Sequence, residues 1–138
     1  MIVVDTNVLS EFMRPDPSER VRKWASGQEP SSLFTTSITV AEILFGIQRL
    51  PDGQRKERFA EAASDLFSAF AERILPFDRR AAEVYARVAA RRAESGLPID
   101  GFDAQIASIC ATQDATLATR NIKDFESTGI SLVNPWFD

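Results

Sequence analysis

Short apolar runs alternate with longer amphipathic segments along this chain, and that alternation limits its fold more than any other feature. The apolar runs predict five strands, at residues 2–4, 33–36, 74–77, 116–119 and 130–133. The segments between them predict helices at 8–13, 17–26, 39–50, 54–71, 79–95 and 101–112, and a helical turn at 123–126. Strands that alternate with helices indicate an α/β protein, in which a central, mostly parallel sheet is flanked by helices on both faces.

Single residues predict where some of these elements begin and end. Asp16 is expected to cap the second helix, with Pro17 at its first position. Gly96 follows the helix at 79–95 and is expected to end it. The proline of the third strand, Pro76, cannot donate a ladder hydrogen bond and therefore favours the edge of the sheet.

The length of 138 residues fits one domain, and we expect a single domain over 1–138, because two independent cores are hard to build from so little sequence. No apolar run approaches the ~20 residues that span a bilayer, and the first residues do not resemble a signal peptide. The single cysteine, Cys110, excludes an internal disulfide and suits a reducing compartment. We therefore expect a cytoplasmic protein without a membrane partner.

The chain contains no histidine. This absence excludes a Ser-His-Asp triad, a histidine-paired cysteine and histidine general-base catalysis. With only one cysteine, an ordinary zinc site is excluded as well, so any bound metal has oxygen ligands, which favours Mg²⁺, Mn²⁺ or Ca²⁺. No Walker loop and no glycine-rich dinucleotide fingerprint is present.

The charge balance gives a mixed indication about nucleic acid. The net charge of −4 disfavours a polyanionic partner. Most of the 16 basic residues, however, are arginines, whose side chain suits bidentate phosphate contacts. They cluster at 20–23, 55–58, 79–80 and 87–92. Each cluster is either a phosphate-binding patch or a solvated helix face, and the second interpretation is favoured for any cluster taken alone.

Four acidic residues stand where predicted strands end or where predicted helices begin. They are Asp5 after the first strand, Glu42 and Asp103 in the first turns of two helices, and Asp124 beyond the fourth strand. Ligands of open parallel sheets bind beyond the carboxyl ends of the strands, so the fold would bring these positions to one rim. Clustered carboxylates repel one another, and a cation is therefore expected among them.

Each of these carboxylates also has a purely structural interpretation. Asp5 would cap the first helix, and Glu42 would complete a capping box that Thr39 opens. Asp103 would stabilise the dipole of its helix, and Asp124 would be a surface residue. The apolar residues on both sides of Glu42 and Asp103 favour an inward orientation instead.

Several polar residues are expected at the same rim. Thr6, Asn7 and Asn121 are neutral and would orient water or hold a carboxylate by hydrogen bonds. Asp100 is a further acidic candidate, because it stands at the start of the helix at 101–112.

Six segments, in this order, resemble the PIN-domain nucleases, and within them the VapC-type toxins of the FitB-like branch. They are VDTNVLSE at 4–11, TVAE at 39–42, LPFD at 75–78, FDAQIA at 102–107, LATRN at 117–121 with DF at 124–125, and VNPW at 133–136. No single segment is specific for this family, but six segments in the same order and at matching spacing over the whole chain make a specific match.

The resemblance implies a PIN-like three-layer fold and a metal-dependent ribonuclease with an acidic cleft. Asp5 and Asp103 would bind Mg²⁺ most directly, with Glu42 helping directly or through water, and Mn²⁺ could substitute. The fourth position is open: many relatives are acidic where this chain has Asn121, and others have asparagine there with an aspartate three residues later. This chain is of the second kind, so Asp124 would supply the fourth carboxylate, directly or through water.

The resemblance also implies a mechanism and partners. Water activated by the ion would attack phosphorus in line, the 3′-oxygen would leave, and the RNA 2′-hydroxyl would not be needed. A cognate antitoxin would wrap the toxin and place a basic side chain in the acidic cleft, which the net negative charge favours. Toxins of this kind commonly form homodimers.

Two other function classes compete with this interpretation. A domain that uses an aspartyl phosphate needs an acidic pair near the first strand, and only Asp5 is present there. A catalytically silent interaction module with the same fold is the second alternative. A rise in the melting temperature with Mg²⁺ would separate the nuclease from the silent module.

Overall fold

Five short parallel strands form the centre of the computed structural model, which describes all 138 residues. The strands are β1 (Ile2–Val4), β2 (Leu33–Thr36), β3 (Ile74–Leu75), β4 (Thr116–Ala118) and β5 (Ser131–Val133). They lie in the order β3-β2-β1-β4-β5, and every neighbouring pair is parallel. The predicted α/β class is therefore confirmed, and β3 lies at the edge of the sheet, as Pro76 predicted.

Helices connect the strands and account for most of the chain. They are α1 (Thr6–Phe12), α2 (Glu19–Ser26), α3 (Ser37–Gln48), α4 (Gln54–Phe70), α5 (Arg79–Glu94), α6 (Gly101–Thr112) and α7 (Ile122–Phe125), with 3-10 turns at Pro30–Ser32 and Ala71–Arg73. The prediction for α6 matches both ends, and those for α4 and α5 differ by one residue. None of these helices is long and apolar enough to cross a membrane.

Each face of the sheet packs against its own hydrophobic cluster, because successive residues of a strand point to opposite faces. Val4 of β1 and Ala118 of β4 join residues of α1, α3 and α4 on one face. Val3 and Leu117, one position earlier in each strand, join residues of α6 and α7 on the other face. The helices thus cover both faces and fix the positions of the ends of β1 and β4.

Two helices begin earlier than the sequence predicts. α1 begins at Thr6 because Asp5 caps it directly after β1. α3 begins at Ser37 because Thr36, the last residue of β2, accepts a hydrogen bond from the backbone N–H of Thr39 at 3.1 Å. Both helices therefore start at the carboxyl end of a strand with no intervening loop, which brings their first turns to the same edge of the sheet.

The prediction for the start of α2 is wrong. Ser18, not Asp16, caps this helix, because its hydroxyl accepts from the backbone N–H of Val21. The backbone N–H of Ser18 donates in turn to the buried carboxylate of Glu11 at 2.7 Å, which fixes the point where the chain enters the helix. Pro17 consequently precedes the cap instead of occupying the first helical position.

Candidate active site

The carboxyl ends of β1 and β4 open into a cavity of about 250 Å³ that no hydrophobic residue lines. Its lining residues are Asp5, Thr6, Asn7, Glu42, Asp103 and Asn121. Three of the four predicted carboxylates and all three predicted neutral neighbours are therefore at one place. They come from four separate elements that the parallel sheet and its helices bring together.

Asp5 is the most buried of the three carboxylates, with 3% of its surface exposed. Its Oδ1 accepts the backbone N–H of Thr6 at 2.8 Å, and its Oδ2 accepts the hydroxyl of Thr119 at 2.7 Å and the Nδ2 amide of Asn7 at 3.3 Å. Burial raises the pKa of Asp5, and these hydrogen bonds oppose that rise. Asp5 therefore caps α1, as its structural interpretation predicts, and it lines the cavity at the same time.

Glu42 is not part of a capping box. Because α3 begins at Ser37, Glu42 lies in its second turn, where no backbone N–H is left to cap. Its Oε1 accepts the hydroxyl of Thr6 at 2.8 Å. Partial burial raises the pKa of Glu42, and the nearby charges of Asp5 and Asp100 raise it further.

Asp103 has the most perturbed carboxylate of the site. Burial, together with the negative charges of Asp5, Asp100, Asp124 and Glu42, raises its pKa to about 7. Its backbone N–H donates to Asp100, which caps α6, but its own side chain accepts no hydrogen bond from the protein. Without a counter-ion, Asp103 is thus the residue that must bind a proton near neutral pH.

Two residues were candidates for the fourth position of the site, Asn121 and Asp124, and the structure places them differently. Asn121 lines the cavity, and its backbone N–H donates to the Thr119 hydroxyl at 3.1 Å. Asp124 is exposed, lies in α7 and does not line the cavity. Its charge nevertheless raises the pKa of both Asp5 and Asp103, so it is close enough to contribute to the negative potential of the site.

Sequence reasoning missed Thr119 as a residue of this site. Its hydroxyl is completely buried and bridges Asp5 to the backbone N–H of Asn121. The backbone N–H of the next residue, Arg120, donates to Oδ1 of Asn7 at 3.0 Å. The only signal in the sequence was the position of Thr119 at the end of a predicted strand. That signal is weak, because threonine is common in strands whether or not it belongs to a site.

Arg92 stabilises the segments next to the site without lining the cavity. It belongs to the 87–92 cluster, but its side chain is buried, and it is neither a phosphate ligand nor a solvated residue. Its guanidinium donates to the backbone carbonyls of Leu97, Asp124 and Glu126. It thereby joins the end of α5, the segment that leads into α6 and the turn that carries Asp124.

Replacing Arg92 by Leu is expected to lower the free energy of unfolding by about 2–4 kcal/mol, because hydrogen bonds from a buried charged donor to three backbone carbonyls are lost. Urea unfolding followed by circular dichroism measures the change. Arg91→Gln on the exposed face of the same helix is the matched control, and it should stay within about 0.5 kcal/mol of the wild type. Equal stability of the two variants would contradict the supporting role of Arg92.

The donors of the cavity suit a hard cation. All of them are oxygen or amide groups, and none of the three carboxylates forms an ion pair with an arginine or lysine. No three acidic side chains converge closely enough to chelate an ion by themselves. A cation held here would therefore keep several of its waters, which is the preference of Mg²⁺.

Comparison with known proteins gives full-length similarity. A profile of the family described as PIN domain matches residues 2–130. VapC ribonuclease Y4jK of Sinorhizobium fredii is 37% identical over 137 residues, which are 99% of this chain and 98% of the relative. Toxin FitB of Neisseria gonorrhoeae is 36% identical over 139 residues, the full length of both. The crystal structure of FitAcB from Neisseria gonorrhoeae has a TM-score of 0.93 at 35% identity, covering 100% of both chains.

Proposed function

Because the chain belongs to the PIN domain family, we propose that the cavity at the carboxyl ends of β1 and β4 is its nuclease centre. The protein is a ribonuclease toxin of a toxin–antitoxin pair. One observation supports the assignment of the site most strongly: three carboxylates from distant parts of the sequence line one polar cavity, and no cationic side chain balances them.

We propose that this centre holds Mg²⁺ and that Mn²⁺ can replace it. Asp5 and Asp103 would hold the ion, and Glu42 would contact it directly or through water. Bound there, the ion would lower the pKa of a water molecule and polarise a phosphate oxygen. The raised pKa of all three carboxylates supports this proposal, because a cation offsets the cost of burying their charges and relieves the repulsion between them.

The chain's own residues prepare the centre for this chemistry. The bonds from Thr6, Asn7 and Thr119 hold the Asp5 carboxylate in one orientation. Asp103 accepts no hydrogen bond from the protein, so both of its oxygens remain free for the ion. The Asn121 amide lines the cavity and is in a position to donate to a phosphate oxygen.

In this mechanism water is the nucleophile and the 3′-oxygen is the leaving group. We assign no step to the 2′-hydroxyl, so the preference for RNA must come from the shape of the substrate and its contacts with the protein. Asp124, outside the cavity, would strengthen the negative potential that attracts the cation without being a ligand itself.

The cognate antitoxin has an apolar surface available next to the centre. A second cavity of about 230 Å³ lies between α1, α3 and α4 and is lined by Met13, Ile47, Leu50 and Phe59. It shares Thr6 and Glu42 with the acidic cavity. We propose that an apolar segment of the antitoxin binds in this trough and that a basic side chain follows it into the acidic cavity, because the charges are complementary.

We also propose the number of domains, the localisation and the oligomeric state of the protein. Both hydrophobic clusters pack on the same sheet, which supports a single domain over 1–138. We place the protein in the cytoplasm, where the buried thiol of Cys110 would stay reduced. We further propose that the toxin forms a homodimer.

The purified protein is expected to cleave RNA only when Mg²⁺ or Mn²⁺ is added and to leave 5′-phosphate ends, because a hydrated cation must supply the activated water. Denaturing gels and end-labelling of the products measure both properties. An excess of EDTA should stop cleavage, and Mg²⁺ should raise the melting temperature. Persistent activity in EDTA, or products with 2′,3′-cyclic phosphates, would contradict the mechanism, and absence of cleavage under all conditions would favour the silent module.

A further inference from the structure

A cationic and aromatic surface lies beside the acidic cavity, where the chain leaves β5. The Asn-Pro-Trp segment at 134–136 belongs to it and has no role in the nuclease centre. Residues of α2 and of the C-terminal segment enclose a cavity of about 390 Å³ there. We call the following residues the cationic–aromatic surface: Arg20, Lys23, Trp24, Arg120, Trp136 and Phe137.

A continuous series of contacts connects this surface to the acidic cavity. Asn7 donates to Asp5 at 3.3 Å and accepts the backbone N–H of Arg120 at 3.0 Å. The guanidinium of Arg120 lies 4.8 Å above the ring of Trp136. The Nη1 of Arg20 then reaches the backbone carbonyl of Trp136 at 3.4 Å. Asn7 is therefore the one residue that links Arg120 of this surface to the buried Asp5 carboxylate, and the surface extends away from Asp5.

No acidic side chain of the protein pairs with the cations of this surface. Arg20, Lys23 and Arg120 form no ion pair, although the chain carries a net charge of −4. The acidic side chain of the same cavity, Asp138, accepts the backbone N–H of Asn134 at 2.8 Å. An acidic nuclease centre repels phosphates, so cations outside it must contribute to holding a polyanionic substrate.

The aromatic side chains give the surface a second property. Phe137 is 76% exposed, so its ring is accessible to a ligand. Cationic groups that alternate with aromatic rings are typical of surfaces that bind single strands, since the cations contact phosphates and the rings stack on bases.

We propose that the cationic–aromatic surface binds a single-stranded segment of the RNA substrate next to the scissile bond. This inference rests on the proposed nuclease function of the acidic cavity. Arg20, Lys23 and Arg120 would contact successive phosphates, and Phe137 would stack on a base. A basic antitoxin tail is disfavoured as the occupant, because it would meet three unpaired cations.

The test is binding of a fluorescent, unstructured RNA of about 16 nucleotides, measured by anisotropy in EDTA so that cleavage does not interfere. The double variant Arg20→Gln/Lys23→Gln should bind roughly tenfold more weakly at about 0.15 M salt, and the slope of log K against log salt should fall by about 1.4, which is 0.7 for each lost phosphate contact. Phe137→Ala should bind roughly tenfold more weakly with the slope unchanged.

The matched control is Arg79→Gln/Arg80→Gln, which removes the same charge from the start of α5. This helix follows β3, at the opposite edge of the sheet from β5. The control should retain the affinity and the salt slope of the wild type. In a cleavage assay with Mg²⁺, the surface variants should raise KM and leave kcat within about twofold, since they do not touch the reacting phosphate.

The outcomes separate the inference from the proposed function. If the wild type cleaves RNA but the surface variants match it in affinity, slope and KM, the surface inference is wrong and the nuclease stands. If the control loses as much affinity as the surface variants, binding is nonspecific and the inference is wrong. Loss of antitoxin binding with unchanged RNA affinity would make the surface a protein interface instead. Absence of cleavage by the wild type, with RNA affinity that still depends on the surface, would overturn only the nuclease assignment.

Discussion

Asp103→Asn is expected to lower RNA cleavage by at least about a hundredfold while making the metal-free protein more stable. The cleavage loss follows because the ion loses a charged ligand and the activated water loses its support. The gain in stability follows because Asp103 is partly removed from water and is also repelled by the surrounding carboxylates, which together raise its pKa to about 7. The variant keeps the shape of the side chain and removes its charge.

The stability gain should depend on pH in a defined direction. The pKa of Asp103 in the folded protein, about 7, lies above the ordinary value of 3.8, so the folded state binds this proton more tightly than the unfolded state does. The contribution of Asp103 to stability is therefore fully present below about pH 4 and is lost as the pH rises through about 7. The Asn variant lacks this loss, and its advantage over the wild type should grow across that interval.

The advantage at high pH should be on the order of 1–2 kcal/mol, because the side chain is half-exposed and solvent screens part of the repulsion. Thermal melts of both proteins with and without Mg²⁺ measure it, and stabilisation by Mg²⁺ should shrink in the variant. Asp78→Asn is the matched control, since Asp78 caps α5 by accepting from Ala81 at 3.0 Å but lies outside the cavity. The control should leave cleavage unchanged, because asparagine caps helices nearly as well as aspartate.

If Asp103 only stabilised the helix dipole, the opposite pattern would be observed. The Asn variant would lose up to ~1 kcal/mol of charge–dipole energy in the first turn of α6 and would remain active. A destabilised but fully active variant would therefore remove Asp103 from the site, and with it most of the argument for a nuclease centre.

The sequence predicted the parallel sheet correctly because its short apolar runs and amphipathic segments differ in period and length. It predicted helix starts less well. The cap of α2 depends on Glu11, whose carboxylate accepts from Ser18 seven residues later, and local capping rules contain no such contact. The cap of α3 is Thr36. A threonine at that position already fits the predicted strand, so nothing in the sequence marks it as a cap.

Part of the candidate site was predictable from one rule, which is that the carboxyl ends of parallel strands lie at the same edge of a sheet. That rule selected Asp5, and it selected Glu42 and Asp103 through the helices that begin near that edge. Thr119 was not predictable, because its bond to Asp5 joins residues 114 positions apart and leaves no mark on local composition. Arg92 was not predictable either, because a guanidinium that donates only to backbone carbonyls has no partner residue that a sequence could reveal.

Expression of the wild-type protein alone in a bacterial host is expected to arrest growth and to lower the number of viable cells by orders of magnitude. Co-expression of the cognate antitoxin should restore growth. The reason is that uncontrolled RNA cleavage would deplete RNA that the host needs, whereas the proposed antitoxin segment would cover the acidic cavity. Asp103→Asn, expressed to the same level on a blot, should be harmless and serves as the control for the burden of expression.

The trough beside the cavity makes this prediction specific. Leu50→Arg should remain toxic but escape rescue, because it removes apolar surface worth about 1.5–3 kcal/mol from the interface and places a charge where an apolar segment would bind. That loss corresponds to roughly 10- to 150-fold weaker antitoxin binding. Leu97→Arg, an equally drastic change at an exposed leucine outside the trough, should be rescued like the wild type. Harmless wild type at a confirmed expression level would refute the toxin assignment, whereas rescue of both leucine variants would leave the toxin intact and move the antitoxin to another surface.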